Sequence, residues 1–390
     1  MADKWIYIVV SLLMGMGLVF SYSLPIYLET IHDWGEFYFF NKFLIFAMLG
    51  ILIMYLLSQC FPDKCVKIIG FTLFGVGGIL IMLMATPFLD AYCPTIKGAK
   101  RWIKIFGFTI SPIEFFKIGI IYFFAWGFAR KLIDKRKRTF KEEFKVIFPY
   151  ILILSLVAIF VVIFQSDLGQ VMLIFFLFLS MLIFTNTSGK MFLSLIISFF
   201  TLGIVSIYFV HYRMERVRTN LNMIYNSLPD FIKELFPMNI TTNDISYQIR
   251  QSINAIYNGG FLGKGIGNGE FKMGYLSDVH TDFVLSGISE EIGFLGISLV
   301  IMLILGLIFR IFKIANRIEE KTIEDTRHKF FVIGIGLLIG FETILNTMGI
   351  VGLFPLKGLP IPFVSYGGSA IISFSIAIGM VLMISKKAKL

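Results

Sequence analysis

The chain has 390 residues, of which 57% are hydrophobic, 16% aromatic and 15% charged, and its formal net charge is +10. Soluble domains carry roughly 25% charged residues, so this composition, with a mean hydropathy of +0.83, excludes an ordinary soluble globular protein. Membrane proteins concentrate Lys and Arg on their cytoplasmic side, and this bias explains most of the positive charge without nucleic-acid binding.

Ten apolar runs follow one another along the chain, and most are about 18–25 residues long, which suits a membrane-spanning helix. Their residues do not alternate in polarity, so we predict helices rather than barrel strands. The expected fold is all-α, a polytopic integral membrane protein of about ten transmembrane helices, forming one domain over residues 1–390. The runs are residues 5–27, 38–58, 67–87, 111–130, 147–164, 168–185, 191–211, 283–309, 330–352 and 362–384.

Charge predicts the orientation. When ten spans alternate, the basic segments 130–138 and 310–329 and the lysines at the C-terminus fall on one side, which the positive-inside rule assigns to the cytoplasm. Both termini are then expected in the cytoplasm. The longer polar segments 88–110 and 212–282 are expected on the outer side.

Basic residues on that outer side run against the charge bias and need a reason. A phosphate or pyrophosphate head group at the outer surface is one candidate ligand, and anionic phospholipid of the outer leaflet is the alternative. The residues concerned are Lys97, Lys100, Arg101, Lys104, Arg213, Arg216, Arg218 and Lys357.

Two positions near residue 110 carry charge at the start of the fourth run. Glu114 and Lys117 stand three residues apart, which places them on one helical face as a predicted internal ion pair. Further polar or irregular segments at membrane depth lie at 165–169 and 354–369. Such backbone is tolerated where protein buries it or where it lines a polar cavity, so we expect a shared cavity on the outer side.

The richest polar segment is 248–296. Its six glycines between 259 and 269 allow positive φ angles and close backbone approach to a ligand, but no strand precedes them, so a dinucleotide site is not predicted. Asp282, where the eighth run begins, suits a general base, or it caps the helix. Spacing alone favours the cap.

Two acids inside the eighth run, Glu290 and Glu291, are expected to be functional or paired with a buried basic partner. A metal site is not predicted: Cys60, Cys65 and Cys93 lack further ligands at metal spacing and are expected to be free thiols, and His280 stands alone.

Together these motifs resemble the SEDS family (shape, elongation, division and sporulation) of peptidoglycan glycosyltransferases over nearly the whole chain. The matching pieces are Lys97-Gly-Ala-Lys-Arg-Trp-Ile103, Ser111-Pro-Ile-Glu114 with Lys117, Gln165-Ser-Asp-Leu-Gly169, Gly263-Lys-Gly-Ile-Gly-Asn268, Tyr275 to Phe283 with Glu290-Glu-Ile-Gly293, and Leu356-Lys-Gly-Leu-Pro360 with Ser365-Tyr-Gly-Gly-Ser369.

The resemblance implies a reaction at the outer face of the cytoplasmic membrane. Glycan is polymerised from lipid II: the acceptor sugar hydroxyl attacks the anomeric carbon of the donor, and undecaprenyl pyrophosphate leaves. Asp282 matches the family's essential aspartate, which reverses the preference for a cap. The resemblance also implies a substrate cavity formed by Arg101, Glu114, Lys117, Lys272, His280, Lys357 and Ser365.

Partners and branch follow from the same resemblance. It implies a class B penicillin-binding protein transpeptidase and other division proteins as partners, no nucleic acid and no certain cofactor, and it leaves open whether a divalent cation such as Mg²⁺ is needed. The pattern of Gly265 to Asn268, Lys272 and Tyr275 favours the division branch. An elongation polymerase, a lipid II flippase and a scaffold that activates the transpeptidase are the alternatives.

Three departures from the family pattern stand out. Ser166 replaces a common proline, and Ser111 and Ile113 replace the Gln and Ser of a common Gln-Pro-Ser-Glu, and for both we expect small conformational effects. Gly274 replaces a glutamate that many division-branch members carry, which puts a supporting acid at that position in doubt.

Overall fold

The structure, a computed structural model, describes residues 3–95, 99–105, 107–132, 138–208, 225, 247–354 and 358–388. Within these residues the chain forms twelve α-helices, one short 3₁₀ turn (Pro87–Leu89) and one small hairpin, so the predicted all-α class is confirmed. The helices are α1 Lys4–Ser23, α2 Ile26–Ile31, α3 Tyr38–Gln59, α4 Pro62–Leu83, α5 Pro112–Lys131, α6 Phe140–Ile163, α7 Leu168–Ile183, α8 Gly189–Tyr208, α9 Tyr247–Gly259, α10 Val284–Asn316, α11 Ile323–Ile350 and α12 Gly368–Ser385.

Eight of these helices are long and apolar enough to cross a membrane: α1, α3 to α6 and α10 to α12. The sixth and seventh predicted runs correspond to α7 and α8, whose apolar stretches are shorter, Leu168–Ile183 and Gly189–Thr201. Every predicted run therefore coincides with a helix. The chain is a multi-pass membrane protein.

Several predicted boundaries were wrong because helices continue past their apolar part. α6 begins at Phe140 and α11 at Ile323, each seven residues before the predicted start. Both begin with a capping box, in which Thr139 or Thr322 exchanges hydrogen bonds with an acid three residues later. These side chains satisfy the free N–H groups of a polar first turn, which hydrophobicity alone does not reveal.

The centre of the bundle is built from α5, α11 and α12, of which 83%, 72% and 78% of the spanning window is buried. α4 packs on α5, α3 on α12, and α10 on α11. The corresponding windows of α3, α4, α6 and α10 are 22% buried, so these helices form the outer layer, whose apolar side chains suit contact with lipid.

The two chain ends lie at the same end of the bundle. The backbone N–H of Asp3 donates to Oγ of Ser385 (3.3 Å), and Arg310 on α10 binds Asp3 (2.6 Å). Lys387 reaches Asp325 at the start of α11 (3.2 Å). This arrangement agrees with an even number of crossings.

The segment between α4 and α5 contains a hairpin that was not predicted. β1 (Ile103–Ile105) pairs antiparallel with β2 (Phe108–Ile110), with Ile103 opposite Ile110. Each strand has three residues, too few for a readable alternation of polarity. Cys93 packs beside it, and all three cysteines are free thiols, as predicted.

Candidate active site

A small cleft that opens to solvent lies at the end of the bundle opposite the termini. The last turns of α11, the residues just before α10 and the irregular segment before α12 form its walls. Asp282 is part of this wall. The lining residues are Asp282, Phe283, Leu345, Asn346, Gly349, Ile350, Gly358 and Leu359.

The main chain that carries Asp282 is held by three hydrogen bonds to three consecutive carbonyl oxygens. The donors come from α11 and from the segment before α12, so three parts of the chain meet at this point. They are the Tyr366 N–H to His280 (2.9 Å), the Ser365 Oγ–H to Thr281 (2.8 Å) and the Asn346 Nδ2–H to Asp282 (2.9 Å). Such support limits the positions open to the carboxylate.

Asp282 does not cap α10. Phe283 occupies the N-cap position and offers no side-chain acceptor to the helix. Asp282 therefore lies one residue outside the cap, half-buried on the cleft wall. The interpretation that spacing alone favoured was wrong.

Arg101 clamps the turn between α6 and α7. Its Nε donates to the carbonyl of Gln165 (2.8 Å) and its Nη2 to that of Ser166 (2.9 Å). Its Nη1 lies 3.8 Å from Oδ2 of Asp167, which caps α7 by accepting from the Gln170 N–H. A cation from the segment before α5 thus organises this turn.

Gly358 connects that turn with the cleft. A Cβ atom added to Gly358 would lie 3.7 Å from Nη1 of Arg101 and 3.9 Å from Oδ2 of Asp167, and Gly358 also lines the cleft beside Asp282. Burial raises the pKa of the Asp167 carboxyl, and the Arg101 guanidinium opposes that shift. Arg101, with a side chain 30% exposed, places positive charge at the edge of the cleft.

The Ser166 departure has a larger backbone effect than expected. Ser166 adopts a φ of +49°, whereas the proline ring fixes φ near −65°. This turn therefore differs from any turn that carries proline at that position.

The predicted ion pair of Glu114 and Lys117 is confirmed, with Nζ 2.8 Å from Oε2. Glu342 of α11, which was not predicted, also accepts from Lys117, and Gln170 of α7 donates to Glu114 (3.2 Å). These charged side chains are at most 7% exposed. Two carboxylates neutralise Lys117, and their contacts with it join α5 to α11. In this arrangement Lys117 has a structural role. A contact of Glu114 or Lys117 with substrate stays a prediction.

Lys272 is likewise committed to the protein. Its Nζ lies 2.6 Å from Oε1 of Glu291 and donates to the carbonyl (3.0 Å) and hydroxyl (3.2 Å) of Ser23 on α1. The expected basic partner of Glu291 is therefore Lys272. This buried group joins the segment after the glycines to α1 and α10, and its ammonium is not available to a pyrophosphate in this arrangement.

The glycine-rich segment approaches α10 closely. α10 is kinked at Gly293 (φ 67°, ψ −167°), and the carbonyls freed there accept from the N–H groups of Lys264 (3.0 Å) and Gly265 (2.9 Å). The side chain of Glu290 accepts from Asn258 (2.9 Å). Positive φ values at several of these glycines are as predicted, but the backbone they approach is that of α10.

The His280 ring packs against Phe39 and Tyr366, with centroid distances of 4.7 and 5.6 Å. Burial lowers the pKa of His280 to about 4, and Asp278 opposes this shift. His280 is therefore neutral at pH 7 and supplies no positive charge to a substrate. Its carbonyl belongs to the frame under Asp282, and a contact of its ring with substrate stays a prediction.

Gly274 stands where many division-branch members carry glutamate. Gly274 has a φ of +96°, and a Cβ added there would lie 2.5 Å from Cζ of Tyr27. Glycine adopts this φ without strain, whereas any other residue there would be strained and would require the Tyr27 ring to move.

The other predicted basic residues divide into three groups. Lys104 lies in β1 with an exposed side chain. Lys100 pairs with Asp90, so its charge is already balanced. Lys357, Lys97 and the arginines at 213, 216 and 218 lie outside the described residues.

Two important residues were missed, Asn346 and Glu342. Both are polar residues inside the apolar run 330–352, and an intramembrane polar group is a signal that could have identified them. Their partners lie far away in sequence.

Known proteins match this chain over nearly its whole length. The family model of the FtsW/RodA/SpoVE cell cycle proteins matches residues 3–390. The probable peptidoglycan glycosyltransferase FtsW of Helicobacter pylori strain J99 is 38% identical over 391 residues, covering 99% of both chains. The protein of the same name from Trichlorobacter lovleyi is 32% identical, covering 96% of this chain and 90% of its own.

Two solved structures share the fold. A chain of a peptidoglycan synthase complex that coordinates polymerization and crosslinking has a TM-score of 0.66 at 20% identity, covering 99% of this chain and 98% of its own. The rod shape determining protein RodA of Thermus thermophilus has a TM-score of 0.64 at 19% identity, covering 100% and 98%.

Proposed function

Because the chain belongs to the FtsW/RodA/SpoVE family of cell cycle proteins, we propose that it is a peptidoglycan glycosyltransferase of the FtsW type, which polymerises lipid II into glycan strands during cell division. The site assignment rests on one observation: Asp282 lines the cleft, and three hydrogen bonds hold the main chain of residues 280–282 in place.

Asp282 acts as general base in this proposal. The carboxylate takes the proton of the acceptor sugar hydroxyl while the hydroxyl oxygen attacks the anomeric carbon of the donor. The bond from that carbon to the pyrophosphate oxygen breaks, and undecaprenyl pyrophosphate leaves with the electron pair. Holding both sugars at the cleft lowers the entropic part of the barrier.

The leaving pyrophosphate needs nearby positive charge. Arg101 is suited to this role because it lies at the edge of the cleft and is partly exposed, and because the nearby Asp167 carboxylate, 3.8 Å from Nη1, lies beyond hydrogen-bond distance. Lys357 directly precedes Gly358, which lines the cleft, and we assign it the same role. Lys117 and Lys272 receive no such role, since buried carboxylates neutralise both.

Within the described residues no three His, Cys, Asp or Glu side chains are grouped so that they could hold a metal ion. Mg²⁺ often binds through substrate phosphates with few protein ligands, so the proposed steps are compatible with a divalent cation on the pyrophosphate.

The proposed setting is the cytoplasmic membrane of a bacterium, with the cleft on the outer side and both termini inside. The basic segments near the termini support this orientation through the positive-inside rule. A class B penicillin-binding protein transpeptidase is the proposed partner, together with other division proteins.

The test is glycan polymerisation from lipid II by the purified protein with its transpeptidase. Wild type is compared with Asp282→Asn and with the control Asp278→Asn, in which asparagine suits the positive φ of 55° at that position. We expect long strands from wild type and the control, and none from Asp282→Asn while it still binds its partner.

Equal polymerisation by all three proteins would remove Asp282 from catalysis. If none of them polymerises, the glycosyltransferase assignment fails and lipid II flipping becomes the next assay.

A further inference from the structure

We propose that Asn346 binds substrate in the Asp282 cleft, where its side-chain oxygen accepts a hydrogen bond from a sugar hydroxyl or acetamido N–H of the glycan. The inference rests on the proposed glycosyltransferase function and identifies a specificity-determining residue for it. Asn346 lies on the last part of α11 and lines the cleft together with Asp282.

The orientation of the Asn346 amide is fixed by its neighbours. Nδ2 donates to the carbonyl oxygen of Asp282 (2.9 Å) and to that of Leu359 (2.7 Å). Both neighbours can only accept, so the NH₂ group must face them. Oδ1 then points away from these two carbonyls.

Oδ1 is left without a hydrogen-bond donor among the described residues, although Asn346 is only 6% exposed. Leaving a buried acceptor unsatisfied costs about 1–3 kcal/mol, so such an atom in a folded protein needs an explanation. A ligand in the cleft supplies the missing donor, because Asn346 is part of the cleft wall.

The chemistry of Oδ1 limits the class of ligand. The amide oxygen is neutral and accepts only, so it selects a hydroxyl or an amide N–H. A pyrophosphate that carries acceptor oxygens gains nothing from it. Asn346 therefore recognises the sugar part of the substrate, while Arg101 at the cleft edge faces the phosphate part.

Analogue kinetics test the assignment. Initial rates of polymerisation are measured for the full-length protein with its transpeptidase, on lipid II and on analogues that each lack one hydroxyl or carry one N-methylated acetamide away from the reacting positions. The proteins are wild type, Asn346→Leu, Asn346→Asp and the control Thr343→Val, which removes a hydroxyl that bonds only within α11 at Ile339 (2.8 Å).

One analogue is expected to lose about 10–100-fold in kcat/KM with wild type and Thr343→Val, since it leaves a buried acceptor unpaired. With Asn346→Leu the same analogue should lose less than about 3-fold, because the acceptor is already gone. Asn346→Asp keeps an oxygen acceptor but loses the two main-chain bonds that orient it, so it should be slower on every substrate and discriminate less than wild type.

The outcomes separate cleanly. If each analogue loses the same factor with wild type and Asn346→Leu, Asn346 has no substrate contact and the inference is overturned. If Asn346→Leu does not fold, Asn346→Ala, which also lacks the acceptor, is measured in its place, and equal losses with wild type overturn the inference in the same way. If wild type does not polymerise lipid II, the proposed function fails and this inference fails with it.

Discussion

The ammonium of Lys272 lies 2.6 Å from Oε1 of Glu291, and both side chains are at most 1% exposed. A charge buried at this depth is tolerated because its partner is in place. The pair joins the segment that leads to Asp282 with α10. The ion pair therefore affects the cleft indirectly, because it positions the segment that leads to Asp282.

Removing one member of this pair should destabilise the protein more than removing both. Lys272→Met or Glu291→Leu alone leaves an uncompensated buried charge, for which we expect a loss of about 3–5 kcal/mol. The double variant replaces both charges with apolar groups and should recover much of that loss. Thermal unfolding in detergent ranks the stabilities of the two single variants and the double variant. Equal losses of stability in all three would contradict the prediction.

A second prediction concerns the turn held by Arg101. Ser166→Pro should destabilise by more than about 1 kcal/mol, because proline cannot adopt the φ of +49° at this position. Ser166→Gly should be neutral or up to about 1 kcal/mol more stable, since glycine adopts positive φ without steric cost. Unfolding temperatures of the two variants check this, and a Pro variant as stable as wild type would show that the turn has another conformation.

The third prediction is a pH dependence. The pKa of His280 is lowered from 6.5 to about 4 by burial, so between these values the unfolded chain binds more protons than the folded one. Stability from this group is complete above pH 6.5 and is lost as pH falls towards 4, by up to about 3 kcal/mol. His280→Asn removes the titrating group, so the unfolding temperature should fall less between pH 7 and pH 4.5 than in wild type; parallel curves would contradict the burial of His280.

Local sequence patterns were sufficient to predict the helices and one ion pair. Each of the ten apolar runs predicted a helix that the structure contains. The three-residue spacing predicted the ion pair of Glu114 and Lys117. The third member, Glu342, is 225 residues away from Lys117. Its place depends on how α5 and α11 pack, which spacing within a helix does not contain.

The site shows the same limit. Asp282 was identified through a family resemblance, whereas spacing alone favoured a cap. Asn346 could not be linked to it from sequence, because their hydrogen bond joins residues 64 positions apart. The positive φ of Ser166 was also unforeseen, since a serine carries no signal of a left-handed backbone.

The last prediction tests the kink that fixes the glycine-rich segment to α10. Gly293 has φ 67° and ψ −167°, a region open essentially to glycine alone, and a Cβ there would lie 2.6 Å from the Phe261 carbonyl oxygen. Gly293→Ala should destabilise by about 2–3 kcal/mol or more and lower polymerisation. Gly306→Ala is the matched control in the same helix: its Cβ meets nothing within 4 Å, so unfolding in detergent should show a gain of about 0.5–1 kcal/mol. Equal behaviour of the two variants would mean that α10 is straight at Gly293.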